Sequence, residues 1–193
     1  MRRFFLVGHR ASTSPAFSLD DLAGAAGRMD LLLSAANSAL LTAHDLRRDV
    51  EVGLFLLGPP DPPRFIRLVG YQLRSWQPDV RSNAALVRKA LEHASRVEHE
   101  TSPGIFASKA SFEEALDRLG PSFVYLKEGG KDVRDLLVPA DATFVLSDNQ
   151  DLAPEEERAV LRRDALVVGL GPTSLHADQA ISIVHNELDR RHV

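Results

Sequence analysis

The sequence has no cysteine, and this absence removes several classes of site. Disulfides, thiolate metal sites and thiol nucleophiles all require cysteine, so none of them operates in this chain. Lysine is also scarce, with four lysines against 19 arginines among 193 residues. A GC-rich genome or a need for planar guanidinium recognition explains such a bias.

Long apolar runs are missing as well. Only four apolar residues, Phe4 to Val7, separate the opening Met1-Arg2-Arg3 from Gly8. A secretory signal needs a run of about 7–15 apolar residues, and a membrane-spanning helix needs about 18–20. We therefore expect a cytoplasmic protein with no membrane partner, and the length predicts a single domain over residues 1–193.

Common catalytic motifs are absent too. The chain contains no G-x-x-x-x-G-K loop, no H-E-x-x-H pair and no G-x-S-x-G elbow, and no G-x-G-x-x-G follows its first apolar run. Phosphate-binding loops, dinucleotide sites and zincin sites are therefore disfavoured, and we expect no metal. His176, Asp178 and His185 could still share a helix face as ligands of a metal-dependent hydrolase, although capping or surface histidines are the commoner case.

Charge is distributed unevenly along the chain. The formal net charge of -4 argues against a dedicated nucleic-acid binder. Residues 64–96, however, carry seven basic and two acidic side chains, a local +5 that leaves -9 for the remainder. With Tyr71 and Trp76, this stretch predicts either a phosphate track with a stacking platform or a solvated helix face beside a sheet edge.

Apolar runs and helical periodicity alternate along the sequence. We predict strands within residues 3–8, 50–57, 64–69, 123–126, 143–146 and 165–168, and helices within 27–44, 82–97, 154–162 and 176–191, with another starting at 111. Continuous apolar strands alternating with helices indicate an α/β fold whose mainly parallel sheet is covered on both faces. Ligands of such sheets bind at the carboxyl ends of the strands, and three of the four candidate strand ends lie in the last 70 residues.

Several segments together resemble one family. In the C-terminal half these are residues 144–151, 170–181 and 184–189; in the N-terminal half they are 17–21, Gly24, 27–30, 78–88 and 102–105. In this order they resemble the SPOUT superfamily of RNA methyltransferases, and within it the TrmY family of tRNA pseudouridine-54 N1-methyltransferases. The resemblance covers nearly the whole chain.

The resemblance implies a fold and a cofactor. SPOUT enzymes thread their C-terminal segment into a trefoil knot, hold S-adenosylmethionine in the knot loops and complete the active site with a second subunit. The implied partners are therefore tRNA and a second copy of this chain. Carried onto this sequence, the implied cofactor residues are Leu126, Ser147, Leu170, Gly171, Pro172 and Leu175. Ser147 stands where the family often has glycine.

The resemblance also implies in-line methyl transfer to N1 of pseudouridine. Positioning of the two reacting atoms supplies most of the acceleration, and a carboxylate that accepts the N1 proton assists it. The candidate carboxylates are Asp20, Asp21 and Asp30, although Asp20 and Asp21 also suit a helix cap and Asp30 a surface ion pair. The candidate RNA-binding residues are Arg28, Arg81 and Arg88.

Two other functions remain open at this point. One keeps the chemistry but acts on pseudouridine in ribosomal RNA. The other is a non-catalytic knotted module that binds RNA or an adenosyl ligand, and the Ser147 departure is its motivation.

Overall fold

A single eight-stranded sheet organises the molecule. The computed structural model describes residues 1–191, and no helix within them is long and apolar enough to cross a membrane. The strands are β1 Arg2–Gly8, β2 Val50–Leu56, β3 Arg64–Val69, β4 His99–Ser102, β5 Ile105–Ser108, β6 Phe123–Asp132, β7 Thr143–Ser147 and β8 Leu166–Gly169. The α-helices are α1 Met29–Leu40, α2 Val80–Glu92, α3 Phe112–Arg118, α4 Pro154–Leu161 and α5 Ala177–Arg190, and a short 3-10 turn spans Val133–Asp135.

The sheet has a parallel part and an antiparallel part. The strand order is β4-β5-β3-β2-β1-β7-β6-β8, and the five strands from β2 to β8 in this order run parallel. Strand β3 turns back on β2, and β5 and β4 continue the sheet in antiparallel pairs. The predicted mainly parallel α/β sheet is therefore confirmed.

Alternating side chains of β1 divide the core into two layers. Phe4 and Leu6 pack beneath α1, α2 and α5, whereas Phe5 and Val7 pack beneath α3 and α4. All four side chains are fully buried. Helices therefore cover both faces, which explains why these strands are continuous apolar runs with no polar face.

Several predicted elements differ from the structure; helices 27–44 and 82–97, for example, end at Leu40 and Glu92. Two further differences have local reasons. Helix α1 begins at Met29 because Arg28 adopts a left-handed backbone with φ 67°. The segment around Ser102, Pro103 and Gly104 reads in the sequence as a break, yet it is the turn of the β4–β5 hairpin. Gly104 permits this turn with φ +77°, and a side chain there would overlap the backbone of Leu73.

Residues 127–130 form an outward loop within β6. Strand β6 pairs with β8 at Leu126, and pairing resumes only at Lys131 after a shift of register. Gly130 then passes so close to Val168 and Gly169 that a Cβ atom on it would lie 2.6 Å from the Val168 carbonyl carbon. Glycine at this crossing lets the two backbones touch.

Helix α5 is fastened to α1 and β1 by a buried histidine. His185 Nε2 lies 3.0 Å from the carbonyl oxygen of Ala39, and its Nδ1 lies 3.2 Å from the Arg2 guanidinium. The guanidinium can only donate, so Nδ1 accepts, Nε2 donates, and the ring is neutral. Burial, and then the charges of Arg47 and Arg2, lower the pKa of His185 to about 4.

This neutral histidine predicts a loss of stability in mild acid. A folded-state pKa near 4, against about 6.5 in the unfolded chain, means that unfolding takes up a proton between these values. The stability that the neutral His185 ring contributes is therefore complete above pH 6.5, and it is lost as the pH falls toward 4. Between pH 6.5 and pH 5 we expect the free energy of unfolding to fall by roughly 2 kcal/mol more in the unmodified protein than in His185→Gln, because glutamine at position 185 does not titrate. Urea titrations of both proteins measure it, and equal pH dependence would contradict the assignment.

Candidate active site

A cavity of about 470 Å³ opens beside the outward loop of β6 and the carboxyl ends of β7 and β8. Its volume lies within the roughly 300–1,000 Å³ typical of small-molecule sites. Three chain segments contribute to its walls: residues 125–128 within β6, residues 146–151 at the end of β7 and residues 168–175 at the end of β8. The first turn of α5 closes it. The cavity therefore lies where the parallel strands predict a ligand.

Most of the predicted cofactor residues line this cavity. Leu126, Ser147, Leu170, Gly171 and Leu175 contribute to its wall, together with Leu146 and Val168. Pro172 stands between two lining residues, Gly171 and Thr173, but is exposed and is not itself part of the wall. The three sequence-distant segments thus converge, and the cofactor role of each residue stays a prediction.

The sequence reasoning did not assign a second set of wall residues. These come from the loop after β7 and from the start of α5: Asn149, Gln150, Asp151, His176, Ala177 and Ala180. A hydrogen bond from the Ser174 hydroxyl to the Glu128 carboxylate joins the first and third segments across the rim. The direct passage from the third segment into α5 is the sequence signal that could have identified the α5 residues.

The cavity combines an aliphatic wall with charged groups. Lys127 pairs with the Glu157 carboxylate, and its ammonium lies 5.6 Å from the centre of the Tyr125 ring. Burial, and then the neighbouring carboxylates, raise the pKa of Tyr125 to about 12, so its phenol stays protonated at neutral pH. Such a site can hold a ligand that has both an apolar ring and polar groups.

The three candidate carboxylates lie outside the cavity wall and are engaged locally. Asp21 accepts hydrogen bonds from the backbone N–H groups of Gly24 and Ala25, both at 2.9 Å. Asp30 forms a two-pronged pair with Arg28, with both distances 3.0 Å. Asp20 is largely exposed and pairs with Arg81 at 2.9 Å. Asp30 thus forms the ion pair that was its alternative role, whereas Asp21 caps a turn and not a helix, and Asp20 forms an ion pair and no cap.

The arginines of the basic stretch differ in how they are engaged. Arg64 and Arg67 belong to β3 and form ion pairs, the buried Arg64 with the exposed Asp61, and the largely buried Arg67 with Glu51 and Glu98. These two guanidinium groups are engaged within the fold, so the phosphate track considered for residues 64–96 does not include them. Arg81 and Arg88 lie on α2, and Arg88 has no ion-pair partner within residues 1–191.

The possible metal triad does not assemble. His176 is the residue before α5 and is exposed, whereas His185 is buried against Ala39 and Arg2. Within residues 1–191, no group of three or more histidine or acidic side chains is arranged to hold a metal ion. The hydrolase interpretation based on His176, Asp178 and His185 is therefore wrong.

Sequence comparison places these features in a known family. The whole chain, residues 1–193, matches the family described as "Putative SAM-dependent RNA methyltransferase". A protein of Methanocella arvoryzae named tRNA (pseudouridine(54)-N(1))-methyltransferase is 48% identical over 193 residues, covering 99% of this chain and 100% of the relative. A relative of the same name from Methanococcoides burtonii is 41% identical over 195 residues, covering 98% and 96%.

Structure comparison agrees on the fold. Archaeoglobus fulgidus Nep1, solved with S-adenosylhomocysteine bound, superposes with a TM-score of 0.70 over 99% of this chain and 98% of its own, at 15% identity. The family resemblance predicted from the sequence is thus confirmed. A full-length family match and relatives above 40% identity over nearly the whole chain show that this protein belongs to the S-adenosylmethionine-dependent RNA methyltransferases.

Proposed function

We propose that this protein methylates N1 of pseudouridine at position 54 of tRNA, with S-adenosylmethionine as the methyl donor. The observation that carries this proposal is the 48% identity, over 99% of the chain, to a relative with that named activity. The cavity at the strand ends supports it independently, since the sequence predicted a cofactor site there. The proposed setting is the cytoplasm, and the proposed unit is one domain acting as a homodimer.

The cavity suits the proposed cofactor in size and in chemistry. We propose that Leu126, Leu170 and Leu175 pack around the adenine and that Ser147 and Gly171 bind through their backbones. Pro172 shapes the third segment. Gly171, with φ +130°, has open space where a Cβ would stand, so a ligand can approach its backbone closely. When bound, S-adenosylmethionine supplies an activated methyl group on a positively charged sulfur.

A trefoil knot is the proposed path of the C-terminal segment. Residues 133–138, which connect β6 to β7, pack in the same core layer as α5. The Arg191 guanidinium, just after α5, donates to the carbonyl oxygens of Val133 and Leu136 at 2.8 and 2.7 Å. Gly130, near the end of β6, is in close contact with Gly169, the last residue of β8. The chain therefore enters the β6–β7 connection and the β8–α5 connection from neighbouring positions. These contacts support a crossing in which α5 passes inside the β6–β7 connection.

The second subunit has a proposed role in the chemistry. Asp20, Asp21 and Asp30 lie outside the cavity wall of their own chain, so we propose that a partner protomer presents this loop to the cavity. A carboxylate there accepts the N1 proton of pseudouridine as the new bond forms. Asp20 suits this role best, because its carboxylate is largely exposed and its one ion pair, with Arg81, is at the surface. Orienting the base in line with the methyl group supplies the larger share of the acceleration.

A methyl-transfer assay tests the substrate. The protein is incubated with labelled S-adenosylmethionine and one of three RNAs: a tRNA with pseudouridine at position 54, the same tRNA with uridine there, and a ribosomal RNA fragment with pseudouridine. We expect label in the first RNA alone. Label in the ribosomal fragment alone favours the ribosomal substrate. If no RNA is labelled although S-adenosylhomocysteine binds, the protein is a non-catalytic binding module.

A pair of leucine variants tests the placement of the cofactor. Leu170→Trp adds an indole to the cavity wall, whereas Leu137→Trp adds the same group at a side chain that is 95% exposed and outside the wall. We expect Leu170→Trp to weaken S-adenosylhomocysteine binding at least tenfold by calorimetry, because the ring occupies the ligand's space. Leu137→Trp should bind S-adenosylhomocysteine as tightly as the unmodified protein does. Equal affinities of the unmodified protein and both variants would place the cofactor elsewhere.

Arg88 provides a test of the RNA contact. We expect Arg88→Ala to weaken tRNA binding several-fold and to reduce the slope of log affinity against log salt by about one, as for loss of one phosphate contact. Arg81→Ala should act in the same direction, but its pair with Asp20 complicates the result. Arg162→Ala is the matched control, since it removes an exposed arginine at the end of α4, whose partner is Glu113 of α3. The same salt slope for Arg88→Ala and Arg162→Ala would exclude Arg88 from the interface.

A further inference from the structure

A histidine at the end of the central strand bridges two carboxylates beside the cavity. His9 follows β1, and its side chain is only 15% exposed. Its Nδ1 lies 3.2 Å from Asp148 Oδ1, in the loop after β7, and its Nε2 lies 2.9 Å from Glu156 Oε2, in α4. One side chain therefore connects the end of β1 to two elements whose residues follow it by 139 and 147 positions in sequence.

The geometry fixes the protonation state of this ring. A carboxylate oxygen can only accept a hydrogen bond when ionised, so each ring nitrogen that faces one must carry a hydrogen. Hydrogen bonds to Asp148 and then to Glu156 raise the pKa of His9 to about 9, although burial opposes the shift. His9 is thus an imidazolium at neutral pH, and no other charged group contributes to this shift.

Asp148 transmits this contact to the cavity wall. Its backbone N–H donates to the Val7 carbonyl at 2.9 Å, and its Oδ2 accepts from the His9 backbone N–H at 2.8 Å. Its Oδ1 also accepts from the backbone N–H of Gln150 at 2.9 Å, which closes the turn. Burial raises the pKa of Asp148, but the bonds from His9 and Gln150 outweigh it, so the net shift is downward.

The loop held in this way forms one side of the cavity. Residues 148–151 all contribute to its wall, and Ser147 precedes them. His9 itself lies outside the wall formed by residues 125–180, so it can act on a ligand through Asp148 and not by contact. Glu156 anchors the far side of the ring, because the same Oε2 accepts the backbone N–H of Ala153 at the start of α4.

We propose that His9 is a positioning residue of the cofactor site, whose ring clamps Asp148 and thereby holds the 148–151 loop in the shape that binds S-adenosylmethionine. This inference rests on the proposed placement of the cofactor. The ring acts in its charged form, since loss of a proton removes the hydrogen from one of the two bonds between the ring and the carboxylates. The clamp therefore couples cofactor affinity to the protonation of a residue that the cofactor does not touch.

The variant His9→Gln tests the clamp. We expect it to bind S-adenosylhomocysteine at least tenfold more weakly than the unmodified protein at pH 7, measured by calorimetry. The unmodified protein should lose affinity as the pH rises through about 9, the pKa of His9. His9→Gln should show no such loss between pH 7 and 9.5. His44→Gln, at an exposed histidine, is the matched control and should behave as the unmodified protein.

Hydrogen exchange separates positioning from a general loss of structure. In His9→Gln we expect faster exchange in a peptide covering residues 148–151, with the exchange of β1 and α1 unchanged. If the variant fails to fold, Glu156→Gln replaces it. That variant keeps the pair with Asp148 and removes one carboxylate, so the pH at which affinity falls should move toward neutrality.

The outcomes distinguish this inference from the proposed function. Weak binding by Leu170→Trp with unchanged binding by His9→Gln would overturn the clamp and leave the cavity as the cofactor site. Unchanged affinity in both would overturn the cofactor placement itself. In Glu156→Gln, an unshifted pH profile would also overturn the clamp.

Discussion

The burial of β1 is the constraint on which the rest of the structure depends. Every residue of this strand except Arg3 is buried, and its backbone pairs with β2 on one side and β7 on the other. A strand without a solvent-facing edge or face must find partners for all its backbone groups within the protein. The register that results aligns Val7 with Ser147 and Gly8 with Leu56, and so fixes where the β7 loop leaves the sheet. This pairing therefore determines where the part of the cavity wall that follows β7 lies.

Much of the architecture could be predicted from the sequence, because in most elements the local residue pattern agrees with the burial that the fold imposes. Continuous apolar runs mark strands buried on both faces. Ser111 with Glu114 forms the capping box that begins α3, where the sequence predicts a helix start. The β4–β5 hairpin was missed because β4, His99–Ser102, is polar and half-exposed, so neither hydrophobicity nor alternation distinguishes it. Its stability comes from pairing with β5, which a reading of local sequence cannot detect.

The site was predictable in outline but not in its electrostatics. Convergence of the strand ends follows from parallel topology, so residues of the cavity wall could be named in advance. Which charges are free and which are paired depends on neighbours distant in sequence. Arg67 illustrates this: it looks like an RNA ligand by composition, yet Glu51 and Glu98 hold it within the sheet. His9 illustrates the reverse, since its partners follow it by 139 and 147 residues.

The assembly of the cavity from three distant segments has a consequence for the energetics of the whole chain. These segments, within β6 and at the ends of β7 and β8, lie between residues 125 and 180, and the unfolded chain does not hold them together. A ligand that needs all three segments binds the native state alone, so by mass action it raises the free energy of unfolding by an amount that grows with its concentration. At a hundredfold excess over the dissociation constant this amounts to about 2.7 kcal/mol. The concentration of the ligand in the cell thereby helps to set the fraction of this protein that is folded.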